Sequence, residues 1–143
     1  MALQEAAAAV QHDDVPVGAV VVDRLGTCLA RAHNERERRK DPTAHAEVLA
    51  LQQAAAVRGE WRLEGCTLVT TLEPCVMCAG AAIHSRVARV VYGAPDPKAG
   101  AAGSLWDLFA DPRSLHRPQV DDGVLARESA ALLRGFFQQQ RAT

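Results

Sequence analysis

The sequence predicts a three-layer α/β/α sandwich around a central mixed β-sheet, on three observations. Segments with strand character alternate with segments of helical periodicity, which is typical of layered α/β folds. The first two predicted strands are joined by a short turn, and such a hairpin makes part of the sheet antiparallel. The length of 143 residues suits one domain, so residues 1–143 are expected to form a single unit.

The N-terminal third predicts a helix, a hairpin and a charged loop. Residues 2–12 are rich in alanine and predict a helix that ends at the following DDVP segment. Residues 17–23 (VGAVVVD) are rich in β-branched side chains and predict a buried strand, with residues 27–33 as its hairpin partner. Cys28 lies in that partner strand and is expected to be a buried structural thiol. Residues 34–40 (NERERRK) are expected to be a solvated loop.

The middle of the chain predicts two helices that flank a strand. Asp41, followed by a proline, predicts the start of a helix over residues 44–58, with Gly59 as its C-terminal cap. Residues 66–72 (CTLVTTL) predict a strand, and the proline that follows opens a short helix over residues 74–84.

The C-terminal third predicts a strand, a loop and a long helix. Residues 88–92 predict a strand, and residues 93–104 (GAPDPKAGAAGS) a loop. The helix is expected over residues 124–141. Phe136 and Phe137 are adjacent, so at most one of them can point into the core. The residues expected on one face of this helix are Leu125, Ser129, Leu132, Leu133, Phe136 and Phe137.

Composition excludes several classes of protein. Hydrophobic residues make up 48% and charged residues 23%, as in globular proteins, and a net charge of −1 excludes a strongly basic, histone-like binder. The apolar runs are shorter than the roughly 18–20 residues of a membrane span. The N-terminus lacks the basic region of a secretory signal, which predicts a cytoplasmic protein. In that compartment the four cysteines are expected to bind metal or stay as buried thiols rather than form two disulfides.

The strongest functional signal combines His45-Ala46-Glu47 with Pro74-Cys75-Val76-Met77-Cys78. Two cysteines three positions apart on a helix share one face and can hold one metal ion, and His45 adds a third ligand. Three protein ligands leave the fourth tetrahedral position of zinc open, which is typical of catalytic zinc. We therefore predict one zinc ion per chain, held by His45, Cys75 and Cys78, with Glu47 as the group that moves protons.

This interpretation has one geometric difficulty and two alternatives. Residues two apart on a helix point about 200° away from each other, so His45 and Glu47 can both face the metal only beside a frayed first turn. A lone CxxC pair is also found in redox sites and in halves of structural zinc sites. A structural site needs a second ligand pair, and Cys28 and Cys66 are far apart in sequence.

The combined pattern is the H-x-E…P-C-x-x-C signature of zinc nucleobase deaminases. Beyond it, the chain resembles the bacterial tRNA-specific adenosine deaminases over nearly its whole length. It departs from their pattern in starting partway into the first helix and in carrying Asp14 where glutamate is usual. The matching segments are VPVGAVVV (15–22), AHNER (32–36), DPTAHAE (41–47), TLEPCVMCAGA (71–81) and the loop 93–104.

The resemblance implies a cytidine deaminase-like fold and a zinc-dependent conversion of the wobble adenosine of a tRNA anticodon to inosine. It implies a homodimer acting on the anticodon loop of tRNA, with neither DNA nor a membrane as partner. Asn34 resembles the asparagine that binds the flipped base, although a turn residue at the end of a strand would look the same. Val17 is expected to form part of the pocket wall.

Candidate RNA contacts lie in the loop and on the last helix. Lys98, Arg134 and Arg141 could meet phosphates, and Asp96 could accept a hydrogen bond from a sugar or base. For each arginine a solvated surface role explains the sequence equally well.

Two other functions stay open: a metabolic deaminase of free guanine, cytosine or a nucleotide, and a catalytically silent zinc scaffold. Residues 79–84 (AGAAIH) are a possible dimer contact, but packing within one chain explains them as well.

Overall fold

Within residues 1–142, which the computed structural model describes, five strands form one mixed sheet. The strands are β1 (Gly18–Val22), β2 (Cys28–His33), β3 (Thr67–Leu72), β4 (Arg89–Ala94) and β5 (Gln119–Asp121). Their order across the sheet is β2-β1-β3-β4-β5. The β1 strand pairs antiparallel with β2 and β3, whereas β3, β4 and β5 run parallel, so the predicted mixed sheet is confirmed.

Helices cover both faces of this sheet, as predicted. They are α1 (Ala2–Ala9), α2 (Arg36–Arg39), α3 (Ala46–Arg58), α4 (Val76–Ser85) and α5 (Ala126–Ala142), and a 3₁₀ turn (Val10–His12) follows α1. The helices α1 and α5 contact each other and pack on one face of the sheet. The helices α3 and α4 contact each other on the opposite face, and α3 covers β1 and β2.

The first strand is buried on both faces because helices cover it from both sides. Ala19 and Val21 belong to the main hydrophobic core beneath α3, whereas the intervening Val20 is also buried but lies outside that core cluster. At Gly18 a Cβ atom would clash with backbone atoms of α1, so glycine lets this helix lie directly on the strand. A run of consecutive β-branched residues is the sequence mark of such a strand.

The structure corrects the expected loop at 34–40, which contains the short helix α2. The carboxylate of Asp14 explains it, because it accepts hydrogen bonds from the backbone N–H groups of Glu37 (2.7 Å) and Arg38 (3.1 Å). These are donors that a helix N-terminus leaves free, and a carboxylate from another part of the chain satisfies them. Local sequence therefore predicted the charge of this segment but not its conformation.

Other departures concern the C-terminal third and one cysteine. The edge strand β5 was not predicted, because only Val120 among its three residues is apolar and no periodicity can be seen. Leu125, expected on the buried face of the last helix, precedes α5 with φ of 54° and is exposed. Phe136 is buried and Phe137 exposed, in agreement with the expectation that only one enters the core. Cys28 is half-buried rather than buried.

Among the described residues, no helix combines the length and the apolar character needed to cross a membrane.

Candidate active site and metal centre

Two helix starts lie side by side and carry the predicted metal ligands. His45 and Cys75 each immediately precede a helix, α3 and α4, and both have extended backbone conformations, with ψ of 149° and 177°. Both α3 and α4 begin two residues later than predicted. His45 is therefore outside the helical register, and the expected conflict of about 200° with Glu47 does not arise.

The three ligand side chains meet at one point. Nδ1 of His45 lies 3.6 Å from Sγ of Cys75 and 3.5 Å from Sγ of Cys78. For tetrahedral zinc with bonds of about 2.1 Å to nitrogen and 2.3 Å to sulfur, the ligand atoms are about 3.6 Å apart. The two nitrogen–sulfur separations thus already match those around a tetrahedral metal ion, and this His/Cys/Cys group could hold one.

The electrostatics of the two cysteines also favour a cation. The hydrogen bond from the Cys78 thiol, together with His45, lowers the pKa of Cys75 to about 4. The same hydrogen bond, burial and the nearby negative charge of Glu47 raise the pKa of Cys78. By themselves the two sulfurs hold one negative charge between them, because a second one would be buried beside the first. A bound dication would allow both to ionise.

Glu47 lies buried in the first turn of α3, next to this group. Burial removes its carboxylate from water and raises its pKa to about 7. A carboxyl group that titrates near neutral pH can both accept and release a proton during a reaction. The fold therefore places a carboxyl group that titrates near neutral pH beside the group of potential metal ligands.

A cavity of about 160 Å³ opens above these residues. The structure brings Val17, Asn34 and Asp96 into its lining, together with His45, Cys75 and Glu47. The volume is smaller than the roughly 300–1,000 Å³ of sites for drug-sized ligands. It suits a single flat ring system rather than a whole nucleotide.

The side chains of Asn34 and Asp96 line the cavity and also form hydrogen bonds with the backbone of nearby residues. The Asn34 side chain donates to the Val15 carbonyl (3.2 Å) and accepts from the Arg36 backbone N–H (3.2 Å). The Asp96 carboxylate accepts from the backbone N–H groups of Lys98 (3.2 Å) and Ala99 (3.3 Å). The turn role considered for Asn34 is therefore present, and contact with a substrate stays a prediction for both residues.

Lys98 and Arg141 lie outside this cavity. They line a second, larger depression together with Leu133, Arg134 and Phe137. Among the described residues, neither cation forms an ion pair. Because Asp96 and Ala99 line the first cavity and Lys98 the second, this segment of the loop separates the two.

Glu73 organises that loop, and the sequence analysis missed it. Its buried carboxylate accepts hydrogen bonds from the backbone N–H groups of Asp96 (3.0 Å), Ala102 (2.9 Å) and Ser104 (3.1 Å), and from the Ser104 hydroxyl. Burial favours a raised pKa, but these donors outweigh it and lower the pKa of Glu73. The sequence did contain a signal for the role of Glu73, because this charged residue directly follows a predicted strand and precedes Pro74 and Cys75.

The remaining cysteines do not form a second ligand pair. All four cysteines are free thiols. Cys66 is buried and accepts a hydrogen bond from Arg58 (2.9 Å), and the Cys28 thiol donates to the Ala30 carbonyl (3.4 Å). Within residues 1–142 neither belongs to a group that could hold a metal ion. The structural-zinc alternative therefore lacks its second pair of ligands.

The fold and the His/Cys/Cys group define a class, the deaminases with a zinc-binding region. The family model for the cytidine and deoxycytidylate deaminase zinc-binding region matches residues 1–94. The tRNA-specific adenosine deaminase of Bacillus subtilis (strain 168) is 48% identical, and the match covers 98% of this chain and 86% of that protein. The chain therefore belongs to the cytidine and deoxycytidylate deaminase family and, within it, to the tRNA-specific adenosine deaminases.

Solved structures agree with this assignment. A structure from a study of A-to-I editing by tRNA:A34 deaminases at the wobble position of transfer RNA matches with a TM-score of 0.89 and 44% identity, covering 92% of this chain and 95% of that one. A structure of guanine deaminase from Nitrosomonas europaea matches with a TM-score of 0.79 and 31% identity, covering 94% and 80%. The cytidine deaminase-like fold that the resemblance implied is thus confirmed.

Proposed function

We propose that this protein hydrolytically deaminates adenosine to inosine at the wobble position of a tRNA anticodon, with one catalytic zinc ion per chain. One observation carries the proposal: a cavity large enough for a single base has Glu47, His45 and Cys75 in its lining, and Cys78 completes the metal-ligand group beside it. The similarity to tRNA-specific adenosine deaminases over 98% of the chain supports the choice of substrate.

His45, Cys75 and Cys78 would hold the zinc ion. Two thiolates and a neutral imidazole balance its charge, and bound zinc would lower the pKa of water enough to supply a nucleophile near neutral pH. The three ligand residues are held by the starts of α3 and α4, so they need little rearrangement.

Glu47 would carry two protons in sequence. It accepts one proton from the attacking water and delivers it to N1 of adenine, which makes C6 a better electron acceptor as the C6–O bond forms. It then transfers the second proton from that oxygen to the exocyclic nitrogen. The C6–N bond breaks and ammonia leaves, so that water and adenosine become inosine and ammonia. Burial supports this role, because it holds the pKa of Glu47 at about 7.

The base and its RNA would be bound by different surfaces. Val17 and Asn34 would contact the base inside the cavity, because both line it. Asp96 would accept from a sugar or base at the cavity mouth. Lys98 and Arg141, unpaired across residues 1–142, would meet phosphates of the anticodon loop in the neighbouring depression. A nucleotide splayed out of a single-stranded loop satisfies both requirements.

We also infer a cytoplasmic homodimer. Four free thiols suit a reducing compartment, where tRNA is found. In α4, Ala79, Ala82 and Ile83 are buried within the chain, so only part of segment 79–84 is available to a partner. Val76, one turn earlier, is 51% exposed and extends this helix surface.

A second candidate is deamination of a free base such as guanine. The structural similarity to the Nitrosomonas europaea guanine deaminase favours it, because the same fold and a cavity of this size would enclose a free purine. The exposed cations of the second depression have no evident use in such an enzyme.

Incubation with a panel of unmodified tRNAs and free bases separates the two candidates. Inosine at one tRNA position, with little ammonia from free adenine, guanine or cytosine, is the expected result. Brisk release of ammonia from a free base without inosine in any tRNA would establish the second candidate instead. A Cys75→Ser/Cys78→Ser variant, measured by elemental analysis, is expected to lose the zinc held at this site; full retention there would contradict the ligand assignment.

A further inference from the structure

A second group of potential metal ligands lies outside the active site. His12 ends the 3₁₀ turn after α1, His33 ends β2, and Glu35 lies between β2 and α2. One potential ligand atom from each of these residues lies within 4.8 Å of the other two. The two imidazole rings have centroids 5.2 Å apart, and Nε2 of His33 lies 4.0 Å from a carboxylate oxygen of Glu35.

Each of the two histidines has one ring nitrogen without a hydrogen-bond partner among the described residues. Nδ1 of His12 lies 2.6 Å from the Asp14 carboxylate, and Nδ1 of His33 lies 3.0 Å from the Glu5 carboxylate. Each neutral ring then has its proton on Nδ1 and a bare lone pair on Nε2. Both Nε2 atoms are buried without a hydrogen-bond partner in the described chain. Buried acceptors are normally satisfied, so two orphaned lone pairs in one cluster need a cation or a donor.

The surrounding carboxylates have the arrangement found behind metal-binding histidines. A histidine ligand usually donates its other ring N–H to a carboxylate, which fixes the tautomer and the ring orientation. Asp14 and Glu5 do this here, and both are themselves held in place. Asp14 accepts from the start of α2, and Glu5 pairs with Arg31 (3.3 Å).

Glu35 would provide the third ligand. Its two oxygens pair with Arg38 (3.1 Å) and Arg39 (2.6 Å), yet each carboxylate oxygen has a further lone pair for a metal ion. These arginines also offset the charge of the carboxylate group, so the site would bind less tightly than one with a free glutamate.

We propose that His12, His33 and Glu35 form a second, structural site for a divalent cation of the zinc type. Imidazole ligands favour Zn²⁺, Co²⁺ or Ni²⁺ over Mg²⁺ and Ca²⁺. Ligand atoms around such an ion lie about 3.4 Å apart, so the side chains must close by roughly 1 Å from their present positions. A bound ion would tie the end of α1 to the β2–α2 junction, next to Asn34 in the cavity wall.

The binding of Zn²⁺ and Co²⁺ to the intact protein tests this site. Elemental analysis after equilibrium dialysis against micromolar Zn²⁺ is expected to give two ions per chain. His33→Gln and Glu35→Gln variants are expected to hold one, whereas His84→Gln, which changes an exposed histidine of α4, is expected to hold two. Two variants are used so that a folding defect in one, visible by circular dichroism, leaves the other informative.

Cobalt separates this site from the catalytic one. Co²⁺ at His45, Cys75 and Cys78 gives thiolate charge-transfer absorption, whereas Co²⁺ bound by imidazole and carboxylate gives only weak visible bands. The second equivalent of Co²⁺ is expected to add visible intensity without charge transfer, and the Cys75→Ser/Cys78→Ser variant is expected to retain it. A stoichiometry of one ion in the wild type, or of two ions unaffected by both variants, would overturn the second site. Neither outcome bears on the deaminase proposal.

Discussion

Two buried glutamates near the cavity, Glu47 and Glu73, have opposite electrostatic environments. Both are almost fully buried, at 4% and 2% exposure. Burial raises the pKa of Glu47 to about 7, whereas the pKa of Glu73 is lowered although burial acts on it in the same direction. The difference lies in the donors: three backbone N–H groups and a hydroxyl surround the Glu73 carboxylate.

The comparison shows that burial alone does not decide the role of a carboxyl group. A carboxylate whose lone pairs are filled by fixed donors is a permanent anion and a structural anchor. One whose donors do not offset its burial, as at Glu47, keeps a raised pKa and can take up and release protons. We therefore propose that the site divides two functions between two identical side chains, with proton transfer at Glu47 and positioning of the loop 93–104 at Glu73.

The largest expected effect is that of Glu47→Gln. The amide cannot carry a proton, so turnover on a substrate tRNA is expected to fall by about 10²–10⁴-fold, while metal content and the unfolding curve stay close to wild type. Inosine formation under single-turnover conditions is the measurement, and Glu64→Gln, at an exposed position, is the matched control. Activity within a few-fold of wild type would remove Glu47 from the reaction.

Glu73→Gln is expected to act mainly on stability. The amide nitrogen would face backbone donors, and leaving buried donors unsatisfied costs about 1–3 kcal/mol each, so we expect a loss of at least about 2 kcal/mol in urea unfolding. Turnover is expected to fall less than in Glu47→Gln and to be partly restored by raising the tRNA concentration. If Glu73→Gln unfolded like wild type but lost all turnover, the two glutamates would not divide the functions as described.

Gly100→Ala tests the packing of the loop 93–104 against the Glu73 carboxylate. A Cβ at this position would clash with the Glu73 carboxylate, and that carboxylate cannot move without breaking its hydrogen bonds. Overpacking of this kind typically costs about 1–3 kcal/mol. Gly135→Ala, where a Cβ meets open space within α5, is expected to be neutral or stabilising by up to about 1 kcal/mol. Equal unfolding curves for the two alanine variants would contradict the anchor.

The pH dependence of stability provides a further test of the lowered pKa of Glu73. The pKa of Glu73 is lower in the folded chain than its ordinary value of 4.5. The contribution of this carboxylate to folding stability is therefore fully present above that value and is lost as the pH falls through the folded-state pKa. The stability difference between wild type and Glu73→Gln is therefore expected to be constant above about pH 5 and to shrink below about pH 4. A difference that grew on acidification would have the wrong sign.

The smallest effects are expected at the surface proposed to bind RNA. Lys98→Ala or Arg141→Ala is expected to weaken tRNA binding a few-fold and to reduce the salt slope by about one for each lost phosphate contact. Zinc content and stability are expected to stay unchanged. Arg62→Ala changes an exposed arginine beyond the end of α3 that does not line the second depression, and it serves as the control. Equal salt slopes in all three variants would place the RNA elsewhere.

The sequence by itself determined the class of fold and predicted the residues of the His/Cys/Cys group that could hold a metal ion. The β-branched run of β1 and the periodicity of α3 are local patterns, and the H-x-E and PCxxC spacings place chemically specific residues beside helix starts. Each of these patterns is made of residues within a few positions of one another, although the two halves of the ligand group lie 30 residues apart. They could therefore be recognised before any long-range contact was known.

Only the tertiary structure decided how distant polar residues are used. The carboxylate of Asp14 shapes α2 from 23 and 24 residues away, and Glu73 holds a loop 23–31 residues further along the chain. His12 and His33 meet only because α1 lies on the hairpin of β1 and β2. The hydrogen-bond partner of a polar side chain cannot be read from the sequence, because it depends on which backbone groups the folded chain leaves unsatisfied nearby.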